Sequence, residues 1–250
     1  MITKGTFSAS AVEDKYTLKV DWTAEQNLLN NTATITLQVY LVQVDGATLA
    51  MGVRGTNKYI IDGISKSFNT PAINNKGGVT THLATLESTE PVVLNADGSK
   101  EIPITVNFNW TRTFNDVVYN SIIAETTIAL PVINSYFMIG GHRYDNYINS
   151  LKVSSAANYN AQTNAAGNTV VDYINKKRTI EVGIIALDDT VMKILLADIS
   201  NLNVTVSFRN PVTNNLDNVA CIIPTNNIEY YTIQSNKVMY KAFTLTFIEL

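Results

Sequence analysis

The chain has 250 residues, of which only 16% are charged, and its formal net charge at pH 7 is -3. Its polar residues are mainly neutral, with 29 Asn and 29 Thr. Because Thr favours the exposed faces of strands and Asn favours turns, this composition predicts many strands joined by many turns. The weak negative charge argues against nucleic acid or an anionic membrane as a partner, and the single cysteine excludes an intrachain disulfide.

The N-terminal half contains three segments in which apolar and polar residues alternate with a period of two. This period places one row of side chains in a core and the other in solvent, as in antiparallel strands of a half-exposed sheet. In the third segment, Pro103 indicates an edge position because proline lacks an N–H group. The apolar rows are Tyr16, Leu18, Val20 and Trp22; Ile35, Leu37, Val39 and Leu41; and Ile102, Ile104, Val106, Phe108 and Trp110.

Turn signals separate these strands at the spacing of a β-sandwich. They occur at Asp45-Gly46, at Asp62-Gly63, over residues 74–78 and at Asp97-Gly98. Residues 59–68 are predicted to form a tight hairpin around the Asp62-Gly63 turn. The strand pattern stops at Pro131, so we expect a β-sandwich domain over residues 1–133 and a domain boundary over residues 131–136.

The second half, residues 136–250, is predicted to form another antiparallel β-sandwich or β-barrel domain with one short helix. The helix is expected at about residues 188–200, where Asp188-Asp189 can cap it and Val191, Ile194, Leu195 and Ile199 form an apolar stripe. Residues 158–168 show no periodicity and are predicted to form a long mobile loop, a type of segment that is often functional. The predicted strands are residues 151–155, 170–174, 179–186, 203–208, 218–223, 229–233 and 238–248.

Several segments of the first half occur in a recognisable order: Gly5-Thr6-Phe7-Ser8, residues 16–22, residues 30–33, residues 95–100 and residues 128–131. This ordered set resembles the N-terminal β-domain of a family of tail-associated proteins from siphophages of Gram-positive bacteria. Residues 176–182, the predicted helix, residues 204–211 and residues 243–249 resemble a short phage tail protein. The resemblance implies a structural protein of the virion, and neither family has a known catalytic residue to transfer.

Few residues suit catalysis or metal binding. The two histidines, His82 and His142, lack a second histidine at ligand spacing, so no metal site is predicted. His142 with Asp145 is the only pairing that invites a catalytic role, and a surface histidine beside a turn is the preferred interpretation because no nucleophile motif accompanies it. Acids that could serve a glycoside hydrolase are candidates by residue type alone. They are Glu87, Glu90, Glu101 and Glu125. We therefore predict no enzymatic activity and no cofactor.

Other residues of the second half are candidates for contact or packing. The basic cluster at residues 176–178 precedes a predicted strand and is interpreted as a solvated guard of a sheet edge. Cys221 is expected to be a buried, inert thiol. Tyrosines gather near the predicted loop, where they can anchor a protein interface or stack on sugars. The predicted interface residues are Tyr144, Tyr147, Tyr159, Asn160, Gln162 and Asn164.

These observations favour a bacteriophage virion structural protein of the tail or baseplate. Its expected partners are copies of itself and other virion proteins, with a host cell-wall glycan as a further candidate. The N-terminus lacks the apolar region of a signal peptide and no run of 18 apolar residues occurs, so we expect assembly in the host cytoplasm without membrane insertion. Residues 135–250 are expected to form the contacts of a closed ring. The alternatives are a carbohydrate-binding cell-surface adhesin and a hydrolase with paired carboxylates in a pocket.

Overall fold

The computed structural model describes residues 1–223, 228–234 and 237–250. The chain divides into two compact units, Met1–Ile133 and Asn134–Leu250, and the division falls inside the predicted boundary segment. The regular structure of the described residues is almost entirely antiparallel β, with one α-helix and one turn of 3-10 helix. The predicted mainly-β fold class is therefore confirmed.

The first unit is a β-sandwich of two antiparallel sheets. The order of strands in one sheet is β1-β2-β3-β8, with β9 also paired to β3, and the order in the other is β11-β10-β5-β6. A separate ribbon is formed by β4 and β7. The strands are β1 (Ile2–Ala11), β2 (Tyr16–Asn27), β3 (Thr32–Gln43), β4 (Thr48–Met51), β5 (Arg54–Ile61), β6 (Ile64–Thr70), β7 (Ile73–Lys76), β8 (Thr80–Glu87), β9 (Val92–Val93), β10 (Lys100–Phe114) and β11 (Val117–Leu130).

The predicted apolar rows lie in the core between these two sheets. The five apolar residues of β10 from Ile102 to Trp110 are buried, and Tyr16 of β2 packs edge-on against Trp110 with ring centroids 4.8 Å apart. Trp22 is only partly buried, at the margin of the core. The edge position predicted from Pro103 is wrong, because β10 pairs with β11 on one side and with β5 on the other. Pro103 is tolerated because it lies where the pairing with β5 ends, and its carbonyl accepts from the N–H of Asp62 at 3.1 Å.

The hairpin predicted over residues 59–68 is confirmed. Ile61 pairs with Ile64, and the two residues between them, Asp62 and Gly63, have φ values of 51° and 81°. Positive φ at both central residues is what a two-residue turn of type I′ requires, and Asp-Gly is a preferred sequence for it.

The second unit is built on a seven-stranded sheet with the order β13-β12-β17-β18-β21-β15-β14. A smaller sheet has the order β16-β20-β19, and a 3-10 turn at Asp145–Tyr147 precedes β14. The elements are β12 (Phe137–Ile139), β13 (His142–Arg143), β14 (Ile148–Thr163), β15 (Thr169–Ile184), β16 (Leu187–Asp188), α1 (Asp189–Asp198), β17 (Val204–Arg209), β18 (Leu216–Ile222), β19 (Tyr230–Gln234), β20 (Lys237–Tyr240) and β21 (Phe243–Glu249).

The predicted helix is present and its cap is the predicted one. The carboxylate of Asp188 accepts a hydrogen bond from the N–H of Val191 at 2.9 Å. Val191, Met192 and Leu195 are buried, so Met192 joins the predicted stripe. No helix in the described part of the chain has the length and hydrophobicity needed to cross a membrane.

Three predictions about the strands of the second unit are wrong. The separate strands predicted over residues 170–174 and 179–186 belong to one strand, β15. Residues 158–168 do not form a long loop, because β14 and β15 continue through most of them and leave only residues 164–168 as a turn. The single strand predicted over residues 238–248 is divided between β20 and β21.

The predicted burial of Cys221 is confirmed, and burial raises the pKa of its thiol to about 11, which disfavours the reactive thiolate.

Candidate assembly interface

The hairpin of β14 and β15 extends beyond the rest of its sheet. The pairing of β15 with β21 stops at Thr179, whereas its pairing with β14 continues to the tip. Every residue from 153 to 174 is exposed, and we call these residues the arm. Two-stranded ribbons are marginally stable by themselves in water, so an arm of this length is a candidate for contact with another molecule.

One face of the arm is apolar and uncharged. Cross-strand partners lie on the same face, and three pairs build this one: Tyr159 with Tyr173, Ala161 with Val171, and Thr163 with Thr169. We call it the tyrosine face. By the alternation of β14, the same face continues toward the root through Ala157 paired with Lys176 and Ser155 paired with Arg178, to Val153 paired with the buried Ile180. The side of the sheet that carries the core therefore runs on into solvent.

The exposure of this face is large for a surface of a soluble protein. Tyr159 and Tyr173 are 57% and 60% exposed, and Val171 is 58% exposed. Ile174, the extra residue at a β-bulge beside this face, is also exposed. Contiguous apolar groups of this kind mark interaction sites, whereas isolated exposed apolar residues are ordinary.

The opposite face of the arm is polar. It carries Asn160 opposite Asp172, and Gln162 opposite Val170. Asp172 is the only charged residue of the arm. An interface over the outer part of the ribbon, residues 159–173, would therefore require the desolvation of one charge for each chain.

The tip of the arm is a turn organised by one asparagine side chain. The Asn164 Oδ1 atom accepts from the N–H groups of Ala166 and Asn168 at 3.0 and 2.9 Å. Gly167 has a φ of 79°, a conformation that suits glycine. Of the six residues predicted as an interface, Tyr159, Asn160, Gln162 and Asn164 lie on the arm, and Asn164 has a structural role there.

The other two predicted interface residues lie elsewhere. Tyr144 is fully buried, so its predicted role in an exposed interface is wrong. Its hydroxyl donates to Asp198 at 2.6 Å, and burial together with this hydrogen bond raises its pKa. Tyr147 is half-buried in the 3-10 turn, and its ring centroid lies 6.5 Å from that of Tyr144.

The pairing of His142 with Asp145 does not occur. His142 Nδ1 lies 2.8 and 2.9 Å from the two carboxylate oxygens of Asp198, at the end of α1. The carboxylate of Asp145 instead accepts from the N–H groups of Tyr136 and Phe137. The contact between His142 and Asp198 thus connects the β12–β13 hairpin to the end of the helix. This contact gives His142 a structural role.

The root of the arm is fixed by Arg178, which lies one residue before the pairing with β21 begins. Its guanidinium donates to both carboxylate oxygens of Glu249, at 3.0 and 2.9 Å, and to Asp217 at 3.1 Å. The same group lies over the ring of Phe208 at 5.7 Å. Arg178 therefore joins β15, β18, β21 and β17, and its predicted role as a solvated edge guard is wrong.

One concave site of the first unit offers less chemistry. It has a volume of about 210 Å³ and is lined by residues that include Tyr59, Asp62, Glu90 and Lys100. Lys100 Nζ lies 2.6 Å from Asp62 and donates to the carbonyl of Val93 at 3.0 Å, so its charge is already paired. The four glutamates considered for hydrolysis, Glu87, Glu90, Glu101 and Glu125, all lie at exposed positions.

No protein-family model, no curated protein and no solved structure matches this chain.

Sequence patterns did not predict the exposure of three apolar residues of the arm, Val170, Val171 and Ile174. Their segment reads as an ordinary buried strand, and nothing local reveals that its partner sheet ends at Thr179. A usable signal did exist at the tip, because an Asn/Gly turn between two runs of similar length is typical of a hairpin.

Proposed function

We propose that this chain is a structural protein of a bacteriophage virion, a tail or baseplate component that assembles through its arm. The observation that carries the proposal is the uncharged tyrosine face, which lies over residues 159–173 beyond the point where β15 leaves its neighbour β21 and is exposed. Burial of two tyrosines of this kind removes a large apolar area from water, and tyrosine is enriched in protein interfaces.

The remainder of the chain supports the same proposal. The surface is rich in neutral Asn and Thr, so it can pack against copies of itself without the cost of burying many charges. The ordered N-terminal segments that resemble siphophage tail proteins lie on the strands and turns of the first unit. A non-enzymatic role in a virion, with copies of itself and other virion proteins as partners, fits both features.

Sedimentation velocity of the purified chain tests the assembly step. We expect concentration-dependent oligomers for the natural chain and monomers for a variant in which residues 160–172 are replaced by Asn-Gly. Tyr173→Ser should weaken association, whereas Leu202→Ser should not, because Leu202 is a large apolar residue that is 82% exposed and lies outside the arm. Unchanged association of the shortened variant would contradict an interface on the arm.

The assignment to a virion needs its own measurement. Antibodies against the chain should label tails of phage particles purified from a lysate of the strain that carries the gene, with the collar and head unlabelled. Absence of the chain from purified particles by mass spectrometry would contradict the proposal.

A carbohydrate-binding adhesin is the second candidate, because Tyr159 and Tyr173 lie side by side and can stack on sugar rings. A glycan array separates the two functions. Binding of cell-wall glycans by a monomeric chain, with loss of binding in Tyr159→Ala and in Tyr173→Ala, would favour the adhesin over the assembly protein.

A further inference from the structure

The two edges of the seven-stranded sheet differ greatly in length. One edge is β13, which has two residues, and the other is β14, which has sixteen. Within the described part of the chain, β14 pairs only with β15. Its outer row of backbone N–H and C=O groups is therefore available to another strand.

The outer edge of β14 also lacks the protection that natural edge strands usually have. Charges, proline and bulges are the common devices that prevent unwanted pairing at an edge. Residues 153–163 contain no charge and no proline. The free edge of β15, by contrast, has a bulge at Ile174 and carries the charged residues Asp172, Lys176 and Lys177. One edge of the arm is thus guarded and the other is open.

We propose that the outer edge of β14 pairs in the antiparallel sense with β14 of a second copy of this chain, and so joins two seven-stranded sheets into one continuous sheet. This inference rests on the proposed function, since it specifies how the arm assembles. Pairing of β14 with β13 of another copy is disfavoured because a two-residue strand offers few backbone partners. A contact between identical edges is isologous and builds dimers, so a closed ring needs a second contact surface.

The run of uncharged residues 153–163 indicates the register of the pairing between the two β14 strands. Its midpoint is Asn158, and pairing centred there places each Lys152 beyond Thr163 of the other copy. The two Lys152 groups are then about 40 Å apart, at a rise of about 3.4 Å per residue. Tyr159 lies opposite Ala157 of the second copy, so a large side chain meets a small one in each half of the contact.

The same pairing makes the tyrosine faces of the two arms parts of one larger sheet surface. A two-fold axis perpendicular to the sheet keeps the tyrosine faces of both arms on the same side. Two marginal ribbons thereby become a sheet of four strands with a shared apolar face. Three or more strands with such a face are what independent stability in water requires.

The chain offers a matched pair of positions for the test. Asn158 and Asn175 are cross-strand partners joined by a side-chain hydrogen bond of 2.9 Å, one on the open edge and one on the guarded edge. Asn158→Lys would place two ammonium groups against each other at the two-fold axis, and we expect the dissociation constant of the dimer to rise about tenfold or more. Asn175→Lys removes the same hydrogen bond and should leave the constant unchanged.

Disulfide formation tests the register. Asn158→Cys should form a dimer across the axis under mild oxidation, since paired strands bring Cα atoms within the distance a disulfide spans. Asn175→Cys should not, and the buried Cys221 should not compete. A failure of Asn158→Cys to cross-link while the natural chain associates would overturn the proposed pairing.

The outcomes separate this inference from the function on which it rests. Association that survives shortening of the arm overturns the proposed interface as a whole. Association that is lost on shortening, but that responds equally to Asn158→Lys and Asn175→Lys, overturns the edge pairing alone. The thermal unfolding temperature of both lysine variants, measured under monomeric conditions, checks that each is folded.

Discussion

The β10–β11 hairpin of the first unit and the arm of the second unit are both long antiparallel pairs with an apolar row. In β10–β11 the row is covered by a second sheet, and Phe108 and Trp110 are completely buried. In the arm the corresponding row, with Tyr159 and Tyr173, passes beyond the point where its neighbouring strand ends. An apolar row on a strand therefore identifies a face that favours burial. Whether another part of the same chain buries it depends on the rest of the fold.

The largest expected difference is in stability. Phe108→Ala should cost about 3–5 kcal/mol, because it leaves a cavity in the sandwich. Tyr159→Ala should cost less than about 0.5 kcal/mol in the monomer, because its side chain is mostly in solvent. Chemical denaturation followed by circular dichroism at monomeric concentration measures both. Equal costs would mean that the arm is packed within its own chain.

An intermediate effect is expected at the root of the arm. Arg178→Met should cost about 1–3 kcal/mol, since it removes the partner of two half-buried carboxylates, Glu249 and Asp217. Lys152→Met is the control on the neighbouring strand, where the ion pair with Glu181 is exposed, and it should cost at most about 0.5 kcal/mol. If the two variants melt at the same temperature, Arg178 does not anchor the root.

The smallest effect is a dependence on pH. The hydrogen bond from Arg178 holds the pKa of Glu249 below its usual value. This stabilisation is complete above the pKa of an unfolded glutamate, about 4.3, and is lost as pH falls through the lower folded pKa. The difference in stability between the natural chain and Arg178→Met should therefore be constant near pH 7 and shrink toward pH 3. A difference that grows on acidification would contradict the pairing.

Much of the fold was predictable because its signals are local. The alternation of residues 102–110, the Asp62-Gly63 turn and the Asp188 cap each depend on side chains a few positions apart, and all three predictions are confirmed. Four of the six predicted interface residues lie on the arm, and their role in an interface stays a prediction. The burial of Tyr144 could not be predicted from local patterns, because Asp198, which accepts the hydrogen bond from its hydroxyl, is 54 positions away.

Local residue patterns predicted most strands of the first unit, several turns and the weakly charged, Asn- and Thr-rich composition, because a period of two and the conformational preferences of turn residues act over short distances. Which strands are neighbours, and with that which apolar rows are buried, depends on contacts between distant parts of the chain. The tertiary structure extended residues 158–168 into a hairpin, joined Arg178 to Glu249 across 71 positions and left the outer edge of β14 open. Such pairings depend on hydrogen bonds between segments that are distant in the chain, and these bonds carry no local signature in the order of the residues.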